Sequence, residues 1–237
     1  MSERDDTNES CSDMNSECGD IVESGGVPKI CLEWRNIKYT VKTKDKKTNK
    51  MVDKEILHGI EGLANPGEML GIMGSSGSGK TTLLNILCGN IEHDKDAGPV
   101  TANGQKIDTF DFSSYRGFVM QDDILLDTMT PRECLIFSSV LRTKGTLSEH
   151  TVRADRMLAD LSLVGVKDNR VGSIASRGIS GGQRKRTCIG IELITSPSVL
   201  FLDEPTSGLD SFVALEVLEL LKNQATEFKR TIITTIH

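Results

Sequence analysis

The run Gly74-Ser75-Ser76-Gly77-Ser78-Gly79-Lys80-Thr81 fits G-x-x-x-x-G-K-[ST] at every position. That spacing suits one chemistry, the cradling of a phosphate chain. The glycines let backbone N–H groups turn inward around an anion, and the helix N-terminus beyond them adds partial positive charge. Lys80 is expected to reach the β- and γ-phosphates and Thr81 to hold Mg2+. Gly74, Ser75, Ser76, Gly77, Ser78, Gly79, Lys80, Thr81 and Thr82 together would line the ligand. A chance Gly/Ser-rich turn would lack the flanking pattern. Here an apolar run from Met69 to Met73 leads in as a strand, and Thr82 to Leu87, stopping at Gly89, reads as a helix. A nucleoside triphosphate is therefore the expected ligand.

Val199-Leu200-Phe201-Leu202-Asp203-Glu204 sets two carboxylates at the C-terminal end of an apolar strand. Open α/β sheets place their ligands at such ends. Asp203 is suited to Mg2+, directly or through its water shell. Glu204 points the other way and can polarise an attacking water. Taken alone, two acids there could equally cap the next turn; the upstream phosphate loop favours the metal-and-water reading.

These groups need a sheet to position them. Ile30, Leu32 and Trp34, then Ile37, Tyr39 and Val41, alternate at period two and predict a strand or two. Residues 42–54 are lysine-rich and read as an exposed hairpin tip, residues 56–63 resume the strand pattern, and Asn65-Pro66-Gly67 turns the chain. Residues 94–105 contain Gly98-Pro99 and Asn103-Gly104, which predict short strands around a tight turn, and residues 117–120 a short strand ending on Gln121. Thr130, Pro131 and Glu133 supply the N-cap, the first-position proline and the capping box of a helix running through Leu141. A second helix is expected over residues 148–163, with Val152, Leu158 and Leu161 buried and Gly165 just past its end. The two form a helical insertion over residues 122–178. A helix at 183–195, a strand at 199–202, a helix at 211–222 and a strand at 230–236 then alternate. Such alternation implies a mostly parallel sheet wrapped by helices.

Composition narrows the class. At 237 residues the chain is long enough for one large α/β domain with a full core. A net charge of −6 and a pI near 5.3 argue against a nucleic-acid partner bound through bulk basicity. Cys11, Cys18, Cys31, Cys88, Cys134 and Cys188 lack metal-ligand spacing and read as reduced thiols; His58, His93, His150 and His237 form no metal-binding set. No apolar run approaches the roughly 18 residues of a membrane span, and no signal peptide opens the chain, so the chain as given is expected to be soluble and cytosolic. Residues 1–27 are acidic, with Arg4 as the only basic residue, and are expected to be a disordered tail before a domain at 28–237.

Ile179-Ser180-Gly181-Gly182-Gln183 resembles the signature motif of the ATP-binding cassette (ABC) ATPases, and it stands shortly before the acidic strand. Gln121 sits where that family has its Q-loop glutamine, Ser207-Gly208-Leu209-Asp210 resembles the D-loop, and His237 resembles the switch histidine. Ser176-Arg177-Gly178 before the signature, Arg184-Lys185-Arg186 and Gly190-Ile191-Glu192-Leu193 after it narrow the resemblance to the G subfamily, the white/brown-type half-transporters. So do Gln121-Asp122-Asp123 and Met129-Thr130-Pro131-Arg132-Glu133. The subfamily often has Glu where this chain has Gln183, so that position is of the general ABC kind. The family's adenine-stacking aromatic would fall near Val41, with Tyr39 the nearest ring. Base contact and core packing both remain open for Tyr39, and so do ATP and GTP as ligands.

The resemblance implies an α/β fold of the P-loop NTPase class: an ABC-type ATPase domain with a mostly parallel core sheet, an antiparallel β edge region and the helical insertion. It implies ATP and Mg2+ as cofactors. Glu204, His237, Gln121 and Lys80 would serve catalysis, and Thr81, Gln121 and Asp203 would surround Mg2+. Ser180, Gly181, Gly182 and Gln183 would close the site of a second ABC ATPase domain, paired head to tail, with Asp210 linking the two sites. It further implies a six-helix transmembrane domain C-terminal to this one, on whose cytosolic side the chain would work, and export of a lipid-like or other hydrophobic substrate. The family continues beyond residue 237, so a C-terminally truncated piece is expected. Two other readings stand beside this one. A soluble ABC-type ATPase would carry tandem cassettes or long coiled-coil arms. A nucleotide-gated interaction module need not keep Lys80, Asp203, Glu204 and His237 together.

Overall fold

The computed structural model describes residues 28–44, 49–107, 111–172 and 178–236. The expected acidic tail, His237, Ser176 and Arg177 lie outside the described residues.

Two four-stranded sheets carry the fold. The first is antiparallel, in the order β2-β1-β4-β5, formed by β1 (Leu32–Lys44), β2 (Met51–Ala64), β4 (Val100–Ala102) and β5 (Gln105–Lys106). β1 and β2 pair antiparallel from Leu32↔Ala64 out to Lys44↔Met51, so residues 42–44 and 51–54 of the expected tip belong to the strands, and residues 45–48 lie outside the described residues. Asn103 and Gly104 join β4 to β5 at φ 49° and 79°, the doubly left-handed turn that the Asn-Gly pair favours. The second sheet is parallel, in the order β3-β8-β7-β6, formed by β3 (Met69–Met73), β6 (Arg116–Val119), β7 (Val199–Leu202) and β8 (Thr231–Ile236).

Parallel neighbours need crossovers, and helices supply them. α1 (Lys80–Leu87) follows β3; α2 (Pro131–Arg142), α3 (Leu147–Asp160) and α4 (Gly181–Leu193) lie between β6 and β7; α5 (Ser211–Phe228) joins β7 to β8. Side chains alternate across β7 and β8, so the two faces of the parallel sheet feed different cores. Val199, Phe201 and Ile233 join Leu83, Leu84, Ile86 and Leu87 of α1 and Leu32, Trp34 and Ile37 of β1. Leu200, Leu202 and Ile232 join Leu158, Ile189, Leu193, Val217 and Leu221 of the other helices. All four residues of β7 are 0% exposed, as a central strand covered on both faces requires. Burying Leu84 and Leu87 stabilises α1 by about 1.5–3 kcal/mol each, which anchors the loop in front of it.

Helix bounds depart from the sequence expectation: α1 begins at Lys80 and α4 spans Gly181–Leu193, each starting two residues early, and two further helices differ more. The second helix begins at Leu147, because Thr146 and Glu149 form its capping box, and it ends at Asp160 with Leu161 as C-cap. Val152, expected inside, is exposed. The buried stripe runs through His150, Ala154 and Leu158 at four-residue steps, and Val152 lies about 200° round the helix from it. α5 continues to Phe228, six residues past its expected end, since Gln224 and Ala225 keep its buried face going.

Candidate functional site

Gly74 to Ser78 are exposed, and they bridge β3 to α1 at the C-terminal edge of the parallel sheet. Gly79 is the N-cap of α1 at φ 93°, and a Cβ there would sit 2.9 Å from Leu57 Cδ2, so only glycine suits the position. The cap supplies no side-chain hydrogen bond. Among the described residues each of the other four α-helices is capped by a side chain: Thr130, Thr146, Ser180 and Asp210 accept N–H bonds at α2, α3, α4 and α5. α1 thus leaves its first-turn donors to an external acceptor, as an anion site needs. Lys80, 7% exposed, folds its ammonium back and donates to the carbonyls of Gly74 at 2.8 Å and Ser75 at 3.1 Å.

The second strand end brings the carboxylates to this loop. Thr81 Oγ1 donates to Asp203 Oδ1 at 3.1 Å, joining residues 122 positions apart. Asp203 N–H donates to Val119 O at 3.0 Å, which ties the strand end to β6. Glu204 takes a left-handed backbone, φ 43°. Its Oε2 accepts from Gln121 Nε2 at 3.0 Å, and its Oε1 lies 3.8 Å from Lys80 Nζ. Three parallel strand ends, those of β3, β6 and β7, therefore converge on one spot through Lys80, Thr81, Gln121, Asp203 and Glu204.

The remaining sequence candidates lie apart from that cluster. Ser180 caps α4 in a reciprocal box: its hydroxyl accepts from Gln183 N at 3.3 Å, and Gln183 Oε1 accepts from Ser180 N at 2.9 Å. Glu or Gln can make that second bond, which accounts physically for Gln183. A Cβ on Gly182 would fall 2.2 Å from Val213 Cγ1, so glycine lets α4 approach α5. Asp210 Oδ1 accepts from Phe212 N and Val213 N at 3.1 and 3.0 Å. Among the described residues no hydrogen bond or ion pair joins Ser180, Gly181 or Asp210 to the loop. Tyr39 is partly buried and packs against the first core cluster.

Two residues at the site have no site role assigned from sequence. Thr235 on β8 donates to Asp203 Oδ1 at 2.7 Å and accepts from Glu204 N at 2.8 Å. Lys185 on α4 is 2% exposed; its ammonium donates to Gln121 O at 2.8 Å and lies 2.6 Å from Asp123 Oδ1. Lys185 stands in the Arg184-Lys185-Arg186 run, but neither a threonine in a β-branched strand nor a lysine in a basic helix turn names its partner in sequence.

The donors available are hard oxygens, Thr81 Oγ1 and Asp203 Oδ1, already 3.1 Å apart. Among the described residues no cluster of three His, Cys, Asp or Glu side chains exists. Mg2+ bound chiefly by phosphates and water needs only one or two protein oxygens, so the site fits it.

Residues 57–207 match the ABC transporter family. The chain is 45% identical over 210 residues to ABC transporter G family member 22 of Arabidopsis thaliana, covering 88% of this chain and 27% of the relative. It is 44% identical over 209 residues to the broad substrate specificity ATP-binding cassette transporter ABCG2 of Mus musculus, covering 87% of this chain and 31% of the relative. A probable ATP-dependent permease of Saccharomyces cerevisiae is 41% identical over 208 residues, covering 87% of this chain and 20% of the relative. The chain thus spans about a third or less of these relatives' lengths. Among solved structures, the ATP-binding cassette MJ0796, a dimer in a post-hydrolysis state bound to ADP and Pi, superposes with a TM-score of 0.68 at 25% identity. That match covers 87% of this chain and 88% of the other. Among the described residues no helix is long and apolar enough to cross a membrane.

Proposed function

The chain belongs to the ABC transporter family, and from that premise we propose that residues 28–237 form the ATP-hydrolysing motor of a G-type half-transporter, with residues 122–178 as its helical insertion. One observation carries the reading: the Thr81–Asp203 hydrogen bond closes the phosphate loop onto the acidic strand, with Lys80 and Gln121 both reaching Glu204.

The uncapped first turn of α1 and the exposed loop N–H groups receive the phosphates, and Lys80 exchanges its loop carbonyls for phosphate oxygens. Thr81 and Asp203 would hold Mg2+, which when bound neutralises charge on the transferring phosphoryl group. Gln121 would stand beside it. Glu204 orients a water for in-line attack on the γ-phosphorus and receives its proton as the bond to the β-phosphate oxygen breaks. His237 would contact the γ-phosphate.

Gly74 to Ser78 of the loop are exposed, and so are Ser180 and Gly181 elsewhere on the same chain at the N-terminus of α4, while Gly182 is buried. A head-to-tail pair would bring the signature turn of one copy against the loop of the other, with Asp210 at the shared boundary. The dimeric, ADP- and Pi-bound state named for the solved cassette supports this pairing. A transmembrane domain elsewhere in the full protein, on the cytosolic side of which this domain works, and export of a hydrophobic substrate are supported by relatives named as transporters and permeases.

Glu204→Gln tests the scheme. ATP turnover should fall to background while an ATP-bound dimer persists in size-exclusion chromatography with light scattering. Unchanged turnover removes Glu204 as the base.

A further inference from the structure

Thr235 is 0% exposed and sits on β8 between the strand that leads into the loop and the strand that ends in the two acids; its register partner on β3 is Ile72. A strand packed with Ile232, Ile233 and Ile236 would accept valine there with the same shape. A hydroxyl taken out of water must instead find partners. Thr231 spends its hydroxyl on the Ile30 carbonyl, and Thr234 turns its own to the Thr235 carbonyl at 3.4 Å. Thr235 alone of the three directs its hydroxyl to the acids: it donates to Asp203 Oδ1 at 2.7 Å and accepts from the Glu204 N–H at 2.8 Å.

We propose that Thr235 is a positioning residue of the nucleotide site, one hydroxyl setting both the Asp203 carboxylate and the backbone from which Glu204 projects. The inference rests on the reading of this cluster as an Mg2+–nucleotide site. Asp203 Oδ1 receives two donors, Thr81 and Thr235. When Thr81 turns its hydroxyl to a metal, Thr235 remains to hold Oδ1 in place. Glu204 meanwhile needs its left-handed backbone, φ 43°, to send its side chain toward Gln121 and Lys80, and the bond from its N–H to Thr235 fixes that turn. The carboxylate that would carry metal and the one that would carry the water's proton are thereby locked to the same strand, two positions before His237.

The test uses the whole chain and Mn2+ as a paramagnetic probe. Wild type, Thr235→Val and Thr235→Ser are compared for ATP affinity in EDTA, for Mn2+ affinity of the ATP complex by EPR, and for thermal unfolding. Thr235→Val should weaken Mn2+ by about 10- to 100-fold, the usual effect of losing a group that orients a metal ligand. Metal-free ATP affinity should stay unchanged, and Thr235→Ser should restore the Mn2+ value. Equal Mn2+ affinity in all three, or serine as weak as valine, overturns the proposal. Should the valine variant not fold, Thr235→Cys, close in size, carries the same comparison. Lys80→Ala separates the two readings: if it leaves ATP affinity in EDTA untouched, the nucleotide site itself is wrong.

Discussion

Lys80 Nζ lies 3.8 Å from Glu204 Oε1 while donating to the carbonyls of Gly74 and Ser75. Both side chains are largely buried, at 6% and 15% exposure, so the loop cation and the strand-end carboxylate share one low-dielectric spot. Under the proposed function, a phosphate would displace the loop carbonyls from the ammonium and offset that exchange with charge-assisted hydrogen bonds. Such bonds contribute about 1.5–3 kcal/mol. Lys80→Ala should therefore weaken ATP by roughly 10- to 100-fold in calorimetric titration. An unaltered affinity would remove the loop as the phosphate site.

The signature turn separates binding from pairing. Ser180→Arg puts bulk and positive charge at the N-terminus of α4, where the helix dipole disfavours it. It does so at no contact with the loop of its own chain. ATP affinity of the monomer should hold, whereas the ATP-dependent dimer of a Glu204→Gln chain should be lost on adding the change. Light scattering reads the result directly, and a dimer that survives contradicts closure in trans.

Gly182 makes a purely steric prediction. Its absent Cβ is 2.2 Å from Val213 Cγ1, a clash with a short branched side chain. Gly182→Ala should cost about 1–3 kcal/mol in urea denaturation. Adding Val213→Ala should recover most of it; a double variant as unstable as the sum would place the cost elsewhere.

Legibility tracked how local the physics is. β3, the loop and α1 were readable because each is a short run with its own stop signal. So was the start of α2, where Thr130, Pro131 and Glu133 are all in place. The start of α3 differs from a start at Ser148 for a local reason: Thr146 and Glu149 stand at capping-box spacing, and Ser148 has no acid three residues on. Val152 was misjudged because an apolar residue does not state which face of its helix it occupies. Asp203 and Glu204 were visible as acids after an apolar run. Thr235 and Lys185 were not, since their roles depend on partners that arrive only when β8 and α4 pack beside the strand ends.

Buried thiols set an alkaline limit. Burial pushes Cys88 up from an ordinary value of 9.0 to about 12, against the opposing pull of Arg116. Burial likewise raises Cys188 to about 12 and Cys134 to about 11. Above about pH 9 the unfolded chain releases these protons while the folded chain keeps them. The unfolded state then binds fewer protons, and stability falls as pH rises toward the folded values. Below about pH 9 the three thiols add no slope. Urea midpoints should drop between about pH 9 and 11, and Cys188→Ala should flatten part of that fall. An equal slope in the variant would assign the loss to other groups.

Lys185 offers the sharpest check on how Gln121 is held. Its ammonium is 2% exposed, 2.8 Å from the Gln121 carbonyl, 3.5 Å from that of Met120, and 2.6 Å from Asp123 Oδ1. α4 thus grips the chain directly after β6, where Gln121 turns its amide to Glu204. Lys185→Met keeps the length and removes the charge, leaving Asp123 without its cation. Breaking one partner of a buried pair costs about 3–5 kcal/mol. Asp123→Asn alone should also destabilise, and the double variant should fall well short of the summed losses, because neither charge is then left alone. A strictly additive pair would mean that the ammonium and the carboxylate do not depend on each other.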